Sequence, residues 1–177
     1  MLRAEYECWA ALLSYPQEER ARSIPVWIDA LCGHAPDLDP DLRALEDYLE
    51  QHGETALEEL FVRTFENNAE RALELGWHLY GENYARGSFM ARMRGLLREH
   101  GIPEGVELPD HASHVLRLMA HAPDELTAAM ANQVVRPALQ RIAKGFKDPE
   151  NPYARAIAAL ERFLVREEQP VGAGARP

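Results

Sequence analysis

Apolar side chains recur at intervals of three and four residues along most of the chain, and each stretch is cut off by proline or glycine. That spacing lines one side of an α-helix, whereas strands alternate with a period of two. Leu2, Tyr6, Trp9 and Leu13 form the first stripe, which should end before Pro16. Residues 17–32 follow, with Ile24, Ile28 and Leu31 inward, a disturbance expected at Pro25 and a stop at Gly33. Asp39 and Pro40 read as an N-cap and first-turn proline for a helix ended by Gly53, and Thr55 as the cap of the next, which closes at Asn67-Asn68.

Residues 69–83 keep no clean period and are expected to form a short helix and a loop. Phe89, Met90, Met93, Leu96 and Leu97 then share one face of a helix stopped by Gly101. After a proline- and glycine-rich loop, Asp110 is placed to cap a helix reaching His121. Pro123-Asp124 opens another, kinked at Pro137, and Asn151-Pro152 starts the last. The 26 alanines and 22 leucines against 13 valines plus isoleucines favour helix over strand. With 177 residues the chain has the size of one domain. The expectation is an all-α compact bundle of seven or eight helices over residues 1–166, with a mobile tail over 167–177.

The net charge of -10 disfavours nucleic acid and anionic membrane surfaces, which attract clustered Lys and Arg. It is also lopsided, with 18 acids against 7 bases in residues 1–88 and 11 against 12 in the remainder. Basic partners facing the N-terminal half are therefore expected. Cys8 and Cys32 alone build neither a disulfide framework nor a four-cysteine zinc site, which fits a reducing compartment. Glu5 and Glu7 stand where a signal peptide needs apolar residues, and no run reaches the ~20 apolar residues of a membrane span. A cytoplasmic protein without direct membrane insertion is expected.

Catalytic signatures are absent from the sequence: no serine sits in a nucleophile elbow, and no glycine-rich phosphate loop occurs. His111, His114 and His121 share a helical stripe, yet seven residues separate the last two, about 10 Å along a helix, too far to share one ion. Two clusters stand out. Glu107-Leu108-Pro109-Asp110-His111 places two carboxylates and an imidazole around a helix start. Residues 77–87 put Trp77, Tyr80 and Tyr84 beside Glu82 and Arg86 in a glycine-hinged loop. Arg86 shares the inward stripe of Met90 and Met93, so it needs a carboxylate partner, with Glu82, Glu107 and Asp110 as candidates.

Leu-x-Tyr-Pro at 13–16, Phe-Val-Arg-Thr-Phe at 61–65, the Gly-Arg-Gly loop at 81–87 and Glu-Leu-Pro-Asp-His at 107–111, followed by Val115, Leu118 and Met119, resemble the NarJ/TorD family of molybdoenzyme maturation chaperones over residues 5–165. The nitrate reductase branch is the most similar, although Trp77–Tyr80 and Asn83–Ala85 replace a more histidine-rich, acidic stretch of that branch. The resemblance implies a TorD-like all-α fold and no catalysis. It implies binding of the apo catalytic subunit of a dimethyl sulfoxide reductase superfamily enzyme, a nitrate reductase alpha subunit or relative, including its N-terminal peptide. It further implies support of molybdenum cofactor insertion, with no permanently bound cofactor and room for transient contact with the client's own. The client-binding residues expected on this basis are Tyr80, Glu82, Arg86, Glu107, Pro109, Asp110, His111 and His114. A metal-dependent helical hydrolase using Glu107, Asp110, His111 and His114 is the alternative from another class. A permanent subunit of a larger complex is the third.

Overall fold

The computed structural model describes residues 3–168. It contains α1 (Arg3–Leu12), α2 (Glu18–His34), α3 (Asp39–His52), α4 (Glu54–Phe61), α5 (Leu75–Tyr80), α6 (Tyr84–Glu99), α7 (Ala112–His121), α8 (Asp124–Met130), α9 (Arg136–Lys144) and α10 (Pro152–Glu168). A 3₁₀ turn at Pro36–Leu38 leads into α3, a π-helical turn at Val62–Glu66 extends α4, and another at Ala131–Val135 joins α8 to α9. Counted as continuous rods there are nine helices among the described residues, more than the seven or eight expected. The all-α class stands. Extended pairing among these residues is confined to a single antiparallel bridge between Glu74 and His111.

The centre of the bundle is α7. From Ala112 to Ala120 every residue except Arg117 is buried. Its large apolar side chains, Val115, Leu116, Leu118 and Met119, each contribute about 2 kcal/mol by leaving water. Helix α1 packs along α7 through Tyr6, Trp9, Ala10 and Leu13, and α10 packs on α3 and α9. Two aromatic clusters pin the layers. Phe163 meets Tyr6 edge-on and Trp9 at a tilt. Tyr153 of α10 stacks edge-on against both Phe61 and Phe65, tying the π-helical turn to the core.

Several local expectations need correction, each because tertiary packing outweighs a local signal. Pro25 lies inside α2 without breaking it, and the helix runs past Gly33 to His34. Its neighbours Ala21, Ile24, Ile28 and Leu31 are buried, and that burial exceeds the ~3 kcal/mol a helical proline costs. Asp39 is the first residue of α3 rather than its cap, and its carboxylate binds Arg43 instead. Thr55 does not cap α4: Gly53, at φ 83°, holds that position. Pro137 enters just after the π-helical turn at 131–135, whose wider winding accommodates the missing N–H. Asn151 does cap α10, its Oδ1 accepting from Tyr153 N–H at 2.9 Å. Residues 167 and 168 continue α10, and the rest of the expected tail, 169–177, lies outside the described residues.

Candidate functional site

The segment 73–75 and the segment 110–112 run side by side. Leu75 N–H donates to the Asp110 carbonyl and Ala112 N–H to the Leu73 carbonyl, both at 2.8 Å. This short ladder fixes the start of α7 against the start of α5 and so joins the two sequence clusters into one site.

Asp110 does not cap α7. His111 does, its Nδ1 accepting from Ser113 N–H at 3.2 Å and from the Ser113 hydroxyl at 2.8 Å. Imidazole can take the cap because its unprotonated nitrogen is an acceptor, as the oxygens of the usual capping residues are. Burial pushes the His111 pKa down to about 3, with the neighbouring His114 and Arg117 adding to the shift. The ring is therefore neutral near pH 7. With Nδ1 accepting, its proton sits on Nε2.

Freed from capping, Asp110 is 0% exposed and its Oδ2 accepts from Arg86 Nε at 2.9 Å. Arg86 reaches it from the first turn of α6, which Asn83 caps through Ala85 N–H. The Arg86 side chain is 18% exposed, and its guanidinium lies 5.9 Å from the Trp77 ring centroid, in cation–π range. The other Asp110 oxygen is buried without a hydrogen-bond partner among the described residues. Gly76 lets the carboxylate approach the α5 backbone.

His114 is buried and donates through Nδ1 to the Leu108 carbonyl at 2.9 Å, which holds the Pro109 turn closed. Pro109 is buried inside that turn. Glu107 and His111 face a cavity of about 160 Å³ together with Phe61, Phe65, Glu66 and Glu74. Burial raises the Glu74 carboxyl above its usual range; Asp110 and Glu107 push the same way, while its own backbone N–H and Arg86 oppose them.

The remaining expected residues fall outside this cluster. Tyr80 packs at 5.4 Å on Phe89 and is partly exposed, and Glu82 is exposed and makes no ion pair with Arg86. Of the three carboxylates weighed as partners for Arg86, the structure selects Asp110. The sequence reading missed Glu66, Glu74 and Gly76. Glu66 directly follows the Phe-Val-Arg-Thr-Phe segment, and Glu74 lies in the aperiodic stretch before Trp77, but only the 73–75/110–112 ladder brings them to His111. Tyr84, Val106 and Leu108 are also exposed large apolar residues.

The donor set does not assemble a metal centre of the kind the hydrolase alternative requires. Asp110 is committed to Arg86, His111 Nδ1 to Ser113 and His114 Nδ1 to Leu108. Among the described residues no three His, Cys, Asp or Glu side chains converge on a common point. Nor is any helix among them long and apolar enough to cross a membrane.

The all-α scaffold thus gathers a buried ion pair, a capped helix start and a small acidic cleft around one turn. The chain belongs to the family described as nitrate reductase delta subunit, a NarJ/TorD-type chaperone family, whose pattern matches residues 35–159. That span contains every expected site residue. No curated protein compared with the chain matches it.

Proposed function

We propose that the chain is a chaperone dedicated to one molybdoenzyme of the dimethyl sulfoxide reductase superfamily, a respiratory nitrate reductase, whose apo catalytic subunit it holds until the molybdenum cofactor is inserted. Membership of the nitrate reductase delta subunit family carries this reading. The client's N-terminal peptide is the segment recognised, bound as an amphipathic helix with its apolar face on the protein and its basic residues toward the acidic half of the chain. Exposed Val106 and Leu108, on either side of Glu107, offer apolar surface next to a carboxylate, which suits such a peptide. The chaperone itself performs no bond chemistry, and its contact with the client's cofactor is transient.

Calorimetric titration with the client's N-terminal peptide, against a scrambled peptide of the same composition, tests the recognition. Coupled folding and burial should give a negative heat-capacity change and saturable binding for the native order only. Equal binding of both peptides would reduce the interaction to generic charge attraction. Deleting the chaperone should leave the catalytic subunit present but lacking molybdenum, measured by metal analysis of the purified enzyme.

A further inference from the structure

Helix α6 packs on α5 and α7 through a buried stripe of Phe89, Met93 and Leu97. At 3.6 residues per turn the opposite stripe is Tyr84, Ser88, Ala91, Gly95 and Arg98, and all five are exposed. Arg92 stands on one flank of that stripe and Arg94 on the other. The helix carries four arginines against one carboxylate, Glu99, in a chain of net charge -10. Arg86 turns inward to Asp110, and Arg94 pairs with Glu104 at 2.9 Å. Arg92 and Arg98 are left exposed and without an ion pair among the described residues.

Between these cations the face is low, because Ser88, Ala91 and Gly95 have short side chains or none. A β-carbon at Gly87 or Gly95 would meet nothing within 4 Å, so no contact inside the protein calls for glycine there, although glycine is among the poorest helix formers. Charge and shape together specify what covers such a face. Unpaired arginines call for carboxylates. The negative charge of the rest of the chain repels nucleic acid, and a helix that lies on a bilayer needs bulky apolar side chains where α6 has Ser88, Ala91 and Gly95. A second copy docked symmetrically on the same face would set arginines against arginines. Another helix fits: short side chains let its axis approach closely, and carboxylates along its edges reach the arginines.

We propose that the outer face of α6 docks an acidic helix on the body of the client's catalytic subunit, with carboxylates of that helix pairing Arg92 and Arg98 and its backbone resting over Ser88, Ala91 and Gly95. The identity of the client rests on the chaperone reading above. The contact is separate from that with the N-terminal peptide and opposite to it in sign, so the chaperone holds its client at two places.

Biolayer interferometry of the full-length chaperone on the apo catalytic subunit of the organism's nitrate reductase, with the N-terminal peptide in saturating excess, reads this contact. Wild type should still bind. Arg92→Glu/Arg98→Glu, at two exposed positions, should weaken that binding about tenfold, chiefly by slower association, and flatten its salt dependence. Arg92→Lys/Arg98→Lys should retain most of it. Ala91→Leu keeps the charges and a good helix former, and should weaken binding by blocking close approach. Circular dichroism should show the same helix content in every variant. Loss of wild-type binding once the peptide is in excess, or equal binding by the charge-reversed variant, overturns the contact. Self-association of the chaperone, or binding to phosphatidylglycerol vesicles, that the charge reversal abolishes would give the face to a second copy or to a bilayer and overturn it as well. The peptide titrated alone tests the earlier reading: if it does not bind while charge reversal still weakens the subunit, the peptide reading fails and the α6 contact stands.

Discussion

Gly76 lies directly against the carboxylate of Asp110: a β-carbon at position 76 would stand 2.6 Å from Asp110 Oδ2 and 2.9 Å from Phe89 Cδ1. Both neighbours are buried, and Asp110 is held by Arg86, so the carboxylate cannot move aside without breaking the ion pair.

Gly76→Ala should therefore destabilise the protein by about 1–3 kcal/mol, the range for overpacking, although alanine is the better helix former. Gly95→Ala is the matched control. It sits inside α6 with open space where the β-carbon would go, and should stabilise by up to ~1 kcal/mol. Urea midpoints of the two variants read the opposite signs. A neutral Gly76→Ala would show that the carboxylate is free to shift.

Arg86→Ala leaves a fully buried carboxylate with neither oxygen paired. The loss should reach about 3 kcal/mol, the lower end for a broken buried pair because Arg86 itself is partly exposed. Asp110→Asn keeps an acceptor for the guanidinium and should lose less, about 1–2 kcal/mol. The double variant Arg86→Ala/Asp110→Ala should be more stable than Arg86→Ala alone, since no orphaned charge remains. If the double variant is the weakest of the three, the pair is not the unit of stability.

His111 should make folding sensitive to mild acid. Its pKa falls from 6.5 unfolded to about 3 folded, so between those values the unfolded chain binds the extra proton and stability drops as pH falls. From pH 7 to 5 this amounts to about 2 kcal/mol. His78, also pushed down, chiefly by burial, acts in the same direction. His111→Asn keeps a capping acceptor and removes the titration, so the difference between the wild-type and variant urea curves should narrow steadily as pH falls from 7 to 5. A constant difference would mean that His111 titrates normally.

Asp41 of α3 clamps α10 by accepting from Arg155 at 3.0 Å and from Arg162. Burial alone would raise its carboxyl, but the two arginines prevail and hold it below the usual range. The stability it supplies is present above the unfolded carboxyl pKa and is lost as pH falls through the lowered folded value. Asp41→Asn should cost about 1 kcal/mol at pH 7, a modest value because the group is partly solvated and screened, and added salt should reduce the difference.

Much of the site was legible as two separate strings, 77–87 and 107–111, because each breaks the helical rhythm with charged and aromatic residues that capping or packing alone does not explain. The need of Arg86 for a carboxylate was readable from its place on an inward stripe. Which carboxylate it takes was not, since Glu82, Glu107 and Asp110 are equivalent until the chain is folded. Assigning the cap to Asp110 failed for a related reason: a cap belongs to whichever acceptor the backbone presents to the first free N–H groups, and the 73–75 ladder turns His111 into that position.

The sequence by itself determined the helical class, most helix ends and the family, because each follows from spacing of apolar residues, turn residues and short contiguous motifs within reach of one segment. Only the tertiary structure decided that Pro25 would be tolerated, that Glu66 and Glu74 would meet Glu107 and His111, and that Gly76 would face Asp110. Those outcomes depend on contacts between residues tens of positions apart. Burial and desolvation at such contacts carry several kcal/mol, more than the local preferences that a sequence expresses on its own.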